Sequence, residues 1–564
     1  MPFSEPHRAP ILSSARTCGL RIAVLAVFAW PPSVFSQQPP SAAVSGANTT
    51  KRVAPRLSVE QQQGSQLLKA ALAETAGLQP DMRTFVLWQI AHAYEKLDIR
   101  KTDSLLIDAF RTSHSIEAGP EYLDTCTPLS RCDVKGVLQS EILGLIFDRS
   151  PERVSPLLPQ AEPEVRKQIT QRLISHYANE KDFDRAEQLL NQFSQEDDYP
   201  FAAASQLIRA LPQERASERL SVFMQSFLNF QQHTSHGVEL SQDFAGMVIE
   251  FWQQIPPVTA MDAIDSILSK AKDKDDPMSR MRMGFSTKKA SLDFSSAYEY
   301  RLFELLPIIE QLDKEKAESL LRDNSDTKSL LQQYPDGLRS VTGASEGTNP
   351  ETGVISVYIT SDSDPKRAAS TQAKMQMEQA INARLHQIVT ELPSNATQAL
   401  SDALFLPLAG PSDVDWCPRL IGLQEIATNM SRRRDSSMAK AALDEEVKLW
   451  DLIPDSAAGS MLVEAAESYR RLGDEDNAEK ALKRAMKIAE KFYAQDERDD
   501  DPERRFKASW RSTRLWQEIV AKAGRISQSL TEELLSEIPD SEIAVFEKVA
   551  YADALLGTTP YFSF

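Results

Sequence analysis

The sequence predicts an all-α chain built as an α-solenoid of antiparallel helix pairs, and three observations carry that prediction. Between Met461 and Ala489, MLVEAAESYRRLGDEDNAEKALKRAMKIA, Ala466 is followed by Tyr469, Gly473, Ala478, Leu482 and Ala485 at steps of three, four, five, four and three residues. Steps of three and four trace one face of a helix, and the longer step across Gly473 marks a turn. The same five intervals recur in ITQRLISHYANEKDFDRAEQLLNQF, at Ile174, Tyr177, Lys181, Ala186, Leu190 and Phe193. Gly is sparse, at 20 of 564 residues, and long alternating apolar runs are almost absent, which favours helix over strand.

Each position in the Ala466 unit has a physical task. The small residues Ala466, Ala478 and Ala485 let two helices approach closely, and Tyr469 and Leu482 fill the space between them. Gly473 can adopt the left-handed conformation that ends the first helix. Asp474 to Asp476 supply capping oxygens for the second. One such pair cannot bury its apolar face unaided, so stacked neighbours are implied, and length then says little about domain number. In the Ile174 copy, Ile174, Lys181 and Phe193 are bulky where the other unit is small, which predicts a different crossing of the helices.

In chain order, residues 1–36 read as a secretory signal: Arg8, Arg16 and Arg21 precede the apolar run Ile22 to Trp30, and Val34 and Ser36 suit a cleavage point before Gln37. The Pro-, Ser- and Ala-rich stretch 37–57 is expected to be a disordered linker. An N-terminal helical segment, 58–339, follows. FVLWQIAHAYEKLD opens a degenerate copy, with Ala91, Tyr94 and Asp98 in register and Thr102, Leu106 and Ala109 fitting only if one turn residue is missing. GVLQSEILGLIFDRSPERVSPLLPQA predicts a further pair with its second helix beginning at Ser150-Pro151. Two more pairs are broken at Pro212 and at Pro256-Pro257. Asp273 to Ser291 reads as a longer loop.

Residues 340–365, rich in Gly, Ser and Asp, read as a flexible loop dividing the helical segments. Only Val354 to Ile359 carries strand-forming residues, suited to pairing with a partner's edge if it forms a strand. The C-terminal helical segment, 366–564, holds Ala427, Met430, Ala439 and Leu443. Ala427 to Ala466 and Ala439 to Ala478 both span 39 residues, so these copies keep one register. The acidic run Asp496 to Asp501 reads as a linker, and the final pair ending at Leu556 as a cap on the stack.

The net charge is −18, and loss of residues 1–36 with their three Arg and one Glu makes it −20. An acidic chain argues against nucleic acid, whose binding rests on Lys and Arg neutralising phosphates, and against an anionic membrane surface. No apolar segment after the signal is long enough to cross a bilayer. In an oxidising compartment Cys126 and Cys132 are candidates for a small disulfide loop, with two free thiols as the alternative, while Cys417 is left over.

Catalytic patterns are scarce. The seven His include no HExxH, and no GxSxG turn occurs. Gly343, Gly347 and Gly353 lack the Lys-Ser/Thr of a phosphate loop. His233, His236 and Glu239 are read as a solvated loop, since zinc wants three or four rigidly held ligands. No catalytic, cofactor-binding or metal residue is assigned.

The Ala466 pattern resembles the tetratricopeptide repeat, whose helix pairs stack into a superhelix, and the match covers nearly all signature positions. The chain also resembles uncharacterised helical-repeat proteins exported by Gram-negative bacteria. The first resemblance implies that the first helix of each pair lines a concave groove for a protein or peptide partner. On that analogy the groove residues are Trp88, His92 and Glu95; Ser175 and Asn179; Thr428 and Arg432; and Glu467, Arg470 and Arg471. Each is otherwise an ordinary solvated helix position. The reading that follows is an exported, periplasmic or extracellular, non-catalytic interaction scaffold. The rival is a secreted helical toroid enzyme acting on polysaccharide, whose carboxylate pair cannot be picked out from spacing among 81 acidic residues.

Overall fold

A computed structural model of the chain describes residues 58–95, 97–117, 134–193, 199–232, 237–272, 282–286, 291–337, 340–341, 356–360, 365–392, 394–411, 416–498 and 506–558. The segment assigned to a secretory signal, the Pro-rich lead-in, and Cys126 and Cys132 lie outside the described residues. The fold among the described residues is helical, as expected, with three short strands. Two compact units form. One comprises residues 217–361, the other residues 39–216 together with 362–564.

The larger unit holds α1 (Val59–Glu74), α2 (Pro80–Tyr94), α3 (Ile99–Ser113), α4 (Val134–Arg149), α5 (Pro163–Asn179), α6 (Phe183–Asn191) and α7 (Phe201–Ala210) from the first part of the chain. The smaller unit follows with α8 (Ala216–Gln232), α9 (Gly237–Phe251), α10 (Pro257–Ala271), α11 (Ala297–Leu312), α12 (Lys314–Asp323) and α13 (Ser325–Gln333). The chain then returns to the larger unit with α14 (Pro365–Glu391), α15 (Ala396–Leu404), α16 (Pro418–Arg432), α17 (Ser436–Val447), α18 (Asp455–Arg471), α19 (Glu475–Asp496), α20 (Arg511–Ala523), α21 (Gln528–Ser536) and α22 (Ser541–Leu556).

Three turns between paired helices share one hydrogen-bond geometry. In each, an Asp N–H donates to the carbonyl five residues back: Asp182 to Tyr177 at 2.9 Å, Asp435 to Met430 at 2.9 Å and Asp474 to Tyr469 at 3.0 Å. The residue before each Asp has positive φ: Lys181 at 63°, Arg434 at 62° and Gly473 at 76°. The Asp carboxylate then caps the next helix, accepting from the N–H of Arg185, Met438 and Asn477. The turn thus closes the first helix and opens the second, satisfying orphan groups of both. The fourth copy omits a residue as expected: Tyr94 is followed after four positions by Asp98, which caps α3 through Arg100 and Lys101.

The pairs stack through their first helices. In order, α16 packs on α18, α18 on α20, α20 on α22, α22 on α2, α2 on α4, α4 on α5, and α5 on α7. The sequence expectation fails at one point in this row. The final helix does not cap the stack, because α22 packs along α1, from the other end of the described chain, and on α2 as well. One repeat is therefore assembled from both ends. Gly64 makes the approach possible: a Cβ there would sit 3.0 Å from Leu556 Cγ and 3.1 Å from the Ala552 carbonyl. Lys548 donates to both Glu74 oxygens at 2.8 and 2.7 Å, Glu542 accepts from the Gln79 N–H at the start of α2 at 2.9 Å, and the Phe546 ring packs tilted against Phe85, centroids 4.9 Å apart. A capping helix needs a polar outer face, but Ile543, Val545, Phe546, Val549, Ala550, Tyr551 and Ala552 are all buried.

Three local expectations are also corrected. No second helix begins at Ser150-Pro151; two 3-10 turns, Pro151–Arg153 and Leu158–Gln160, follow α4 instead, where prolines remove the N–H groups a helix needs. The stretch read as a loop contains β1 (Arg282–Ser286), which pairs antiparallel with β2 (Ser291–Phe294) and with β3 (Ser356–Thr360), so the strand near residue 357 pairs within the chain rather than with a partner's edge. Asp496 is not linker: it is buried, and its carboxylate accepts from the N–H and hydroxyl of Ser512 at 3.2 and 2.8 Å, supplying α20 with a cap from the preceding helix. In the smaller unit α9 packs on α10 and α10 on α11, with Phe244 stacked on Phe230 at 4.5 Å.

Candidate protein-binding groove

All four sets of sequence-predicted groove residues lie on first helices of the one row, and the stacking order decides which are neighbours. Thr428 and Arg432 on α16 adjoin Glu467, Arg470 and Arg471 on α18. α20 and α22 then intervene before Trp88 and His92 on α2 and Glu95 at its C-cap, and α4 separates these from Ser175 and Asn179 on α5.

Trp88 is not a groove residue. It is 1% exposed and packs against Phe85 at a ring separation of 5.8 Å. α2 is flanked by α22 and α4 and backed by α3, so Phe85, Val86, Leu87, Trp88, Ile90, Ala91, Ala93 and Tyr94 are all buried. A helix apolar on every side is an interior helix, and FVLWQIAHAY carries that signal. His92 and Glu95 remain partly exposed. Their side chains lie 4.0 Å apart, and Glu95 reaches Arg149 on α4 at 3.5 Å, which in turn donates to Asp103 at 2.9 Å.

Glu467, Arg470 and Arg471 form an internal ion cluster. Glu467 is 2% exposed; Arg470 Nε and Nη2 donate to it at 2.8 and 2.9 Å, and Arg471 Nη2 lies 2.8 Å from it. Burial alone would raise the Glu467 pKa, but the Arg470 hydrogen bonds and the charges of Arg470, Arg471 and Lys522 outweigh it and bring the group down to about 2. The two arginines are thus engaged in holding a buried carboxylate. Lys522 on α20 pairs with Glu464 at 3.0 Å, carrying the charged face onto the next first helix.

Thr428 and Ser175 are half-buried, whereas Arg432 and Asn179 are exposed, and Asn179 accepts from Gln206 on α7 at 3.2 Å. Behind Thr428 sits Gln424, also buried, and behind that Glu446, which is 0% exposed. Burial pushes the Glu446 carboxyl up to about 8, against the lowering effect of the Trp450 indole N–H 3.4 Å away. Sequence reasoning missed Glu446 and the place of α4 and α20 in the row of first helices. For Glu446, the signal available was its place one turn beyond Ala442 and Leu443 on the inward side of α17. Among the described residues, no group of three or more His, Cys, Asp or Glu is placed to hold a metal ion, and no helix is long and apolar enough to cross a membrane.

This geometry defines a helical-repeat protein with tetratricopeptide-like pairs. No protein-family model matches the sequence, and no curated protein matches it. Three solved structures are similar to it along most of their length. One is Ton1535 from Thermococcus onnurineus NA1, at 13% identity, 87% of this chain, 99% of that chain and a TM-score of 0.18. Another is the APC/C hetero-tetramer Cut9-Hcn1, at 13%, 86%, 97% and 0.17. The third is a circular tandem repeat protein with novel repeat topology and enhanced subunit contact surfaces, at 11%, 88%, 94% and 0.14. Superpositions this loose carry no argument about function.

Proposed function

We propose that the protein is an exported, non-catalytic scaffold that docks a protein or peptide partner along the row of first helices. The supporting observation is the continuity of that row: eight first helices, α16, α18, α20, α22, α2, α4, α5 and α7, pack side by side in one unit and carry half-buried and exposed polar groups at Thr428, Arg432, His92, Glu95, Ser175 and Asn179. A protein partner fits such a surface better than nucleic acid, because the net charge of −18 opposes phosphate. Export rests on the basic and apolar pattern of residues 1–36 and has a separate test in cell fractionation.

The binding test uses Arg432→Glu and Asn179→Arg, both at exposed positions, in a pull-down from envelope extract with partners identified by mass spectrometry. Reversing Arg470 or Arg471 would be a poor test, since it would leave Glu467 buried without its counter-charges. A partner retained by the wild type and lost by both variants supports the assignment. Undiminished capture by both variants, or turnover of a polysaccharide panel by the purified chain, refutes it.

A further inference from the structure

The Gln424 amide stands between a buried acid and the Thr428 hydroxyl, and its O and N can be placed in either of two orientations on the same atom positions, which gives those neighbours opposite hydrogen-bond roles. In one, Nε2 donates to Thr428 Oγ1 at 3.0 Å and Oε1 faces the Glu446 carboxyl. In the other, Nε2 donates to both Glu446 oxygens at 2.9 and 3.0 Å, and Oε1 accepts from Thr428 Oγ1 at 3.0 Å. A protonated carboxyl donates and fits the first arrangement; an ionised one only accepts and requires the second. We propose that the protonation state of Glu446 sets the orientation of the Gln424 amide and thereby whether Thr428 offers the groove a hydroxyl donor or only acceptor lone pairs.

The surroundings leave Glu446 free to act in this way. On its own helix, Glu445 is taken by Lys448 at 2.6 Å. From α16, Glu425 accepts from Asn429 and Arg419 donates to the Leu406 carbonyl, while Arg432 is exposed. From α15, Asp402 accepts from Gln398 and lies 3.8 Å from Arg384. From α18, Tyr469 is the group that senses Glu446: burial first, then the charges of Glu446, Asp444 and Asp474, push its phenol up to about 12. Beyond the Trp450 ring, Arg484 sits over its far side at 5.5 Å and pairs with Asp451. Against desolvation stand the Trp450 indole and, in the second orientation, the Gln424 amide; burial prevails and pushes the Glu446 carboxyl up to about 8, so a rise in pH through that region reverses the Thr428 hydroxyl.

The consequence for a bound partner rests on the groove reading above, but the relay itself is tested without any partner. The full chain is labelled with ¹⁵N in the Gln side chains and ¹³C in the Glu carboxyls and titrated by NMR from pH 5.5 to 10. The Gln424 NH₂ resonances are expected to move with the same midpoint as the Glu446 carboxyl, and to stay still in Glu446→Gln, whose neutral amide stands in for the protonated acid. Stationary Gln424 resonances while Glu446 titrates, or a Glu446 titration already complete by pH 6, overturn the relay. Should Glu446→Gln fail to fold, Gln424→Met decides: loss of two donors to the carboxylate should raise the Glu446 midpoint by about one pH unit, a tenfold change in proton affinity. An unchanged midpoint overturns the proposal.

Discussion

Lys181 and Arg434 occupy the left-handed position that Gly473 fills in the third copy of the same turn. An L-residue with a Cβ pays roughly 1–2 kcal/mol for that conformation. Glycine escapes this cost but loses more backbone entropy on folding, about 0.4–1 kcal/mol. Lys181→Gly and Arg434→Gly should therefore each stabilise their helix pair by about 0.5–1 kcal/mol, and Gly473→Ala should destabilise its pair by a similar amount. Both side chains are exposed, so little contact is lost on truncation. The pairs are not neighbours in the stack, so the two gains should add. Native-state hydrogen exchange is the suitable assay, because a stacked array opens locally and a single global free energy is poorly defined for it. A change of about 1 kcal/mol slows exchange across the affected turn roughly fivefold. Faster exchange at α5 and α6 in Lys181→Gly would refute the argument, since it is the behaviour of a glycine placed in ordinary right-handed helix.

Other consequences concern buried charge and close packing. The raised pKa of Glu446 means its contribution is fully present below the ordinary glutamate range and is lost as pH climbs through about 8. Glu446→Gln should gain on the wild type over that window by about 3–5 kcal/mol, read as thermal stability at pH 5 against pH 9; parallel pH profiles contradict this. Glu467 runs the other way: held at about 2, it stabilises the fold above the ordinary glutamate range and ceases to as pH falls through 2. Glu467→Gln should cost about 3 kcal/mol at pH 7, with the difference from wild type shrinking in acid, as followed by denaturant midpoints. Gly64→Val should cost about 1–3 kcal/mol by forcing α1 from α22, whereas Gly77→Ala, where no atom lies within 4 Å, should be nearly neutral in the same melts.

The helix pairs were legible because small residues, a turn residue and a capping Asp recur at fixed steps, and Gly473 announced the left-handed turn. Lys181 and Arg434 adopt the same conformation without any propensity for it; their register with Gly473 was the signal available, but the bulk of Lys181 points in the sequence only to a different helix crossing. The pairing of α1 with α22 was not legible. Periodicity describes a helix and its sequence neighbours, while this contact joins segments 474 residues apart at Lys548 and Glu74. The hint was the all-round apolar character of α22, which a terminal helix could not leave exposed. Trp88 was misplaced for a related reason, since the repeat register marks the groove side of a helix but not whether neighbours cover it. The pairing of β1 with β3 likewise depends on a long-range partner that short strands cannot specify alone.

The repeat shared between the two ends is the claim on which the continuity of the row depends, because without α22 on α1 and α2 the row falls into two separate stacks. Zero-length carbodiimide coupling of the native chain tests it directly. Lys548 Nζ and Glu74 Oε2 lie 2.7 Å apart, so peptides containing these residues should be recovered joined, within single chains, alongside the local Lys483–Glu479 link at 2.9 Å. Recovery of the local link without the Lys548–Glu74 link, or its appearance only between isotopically distinct copies, would contradict the account.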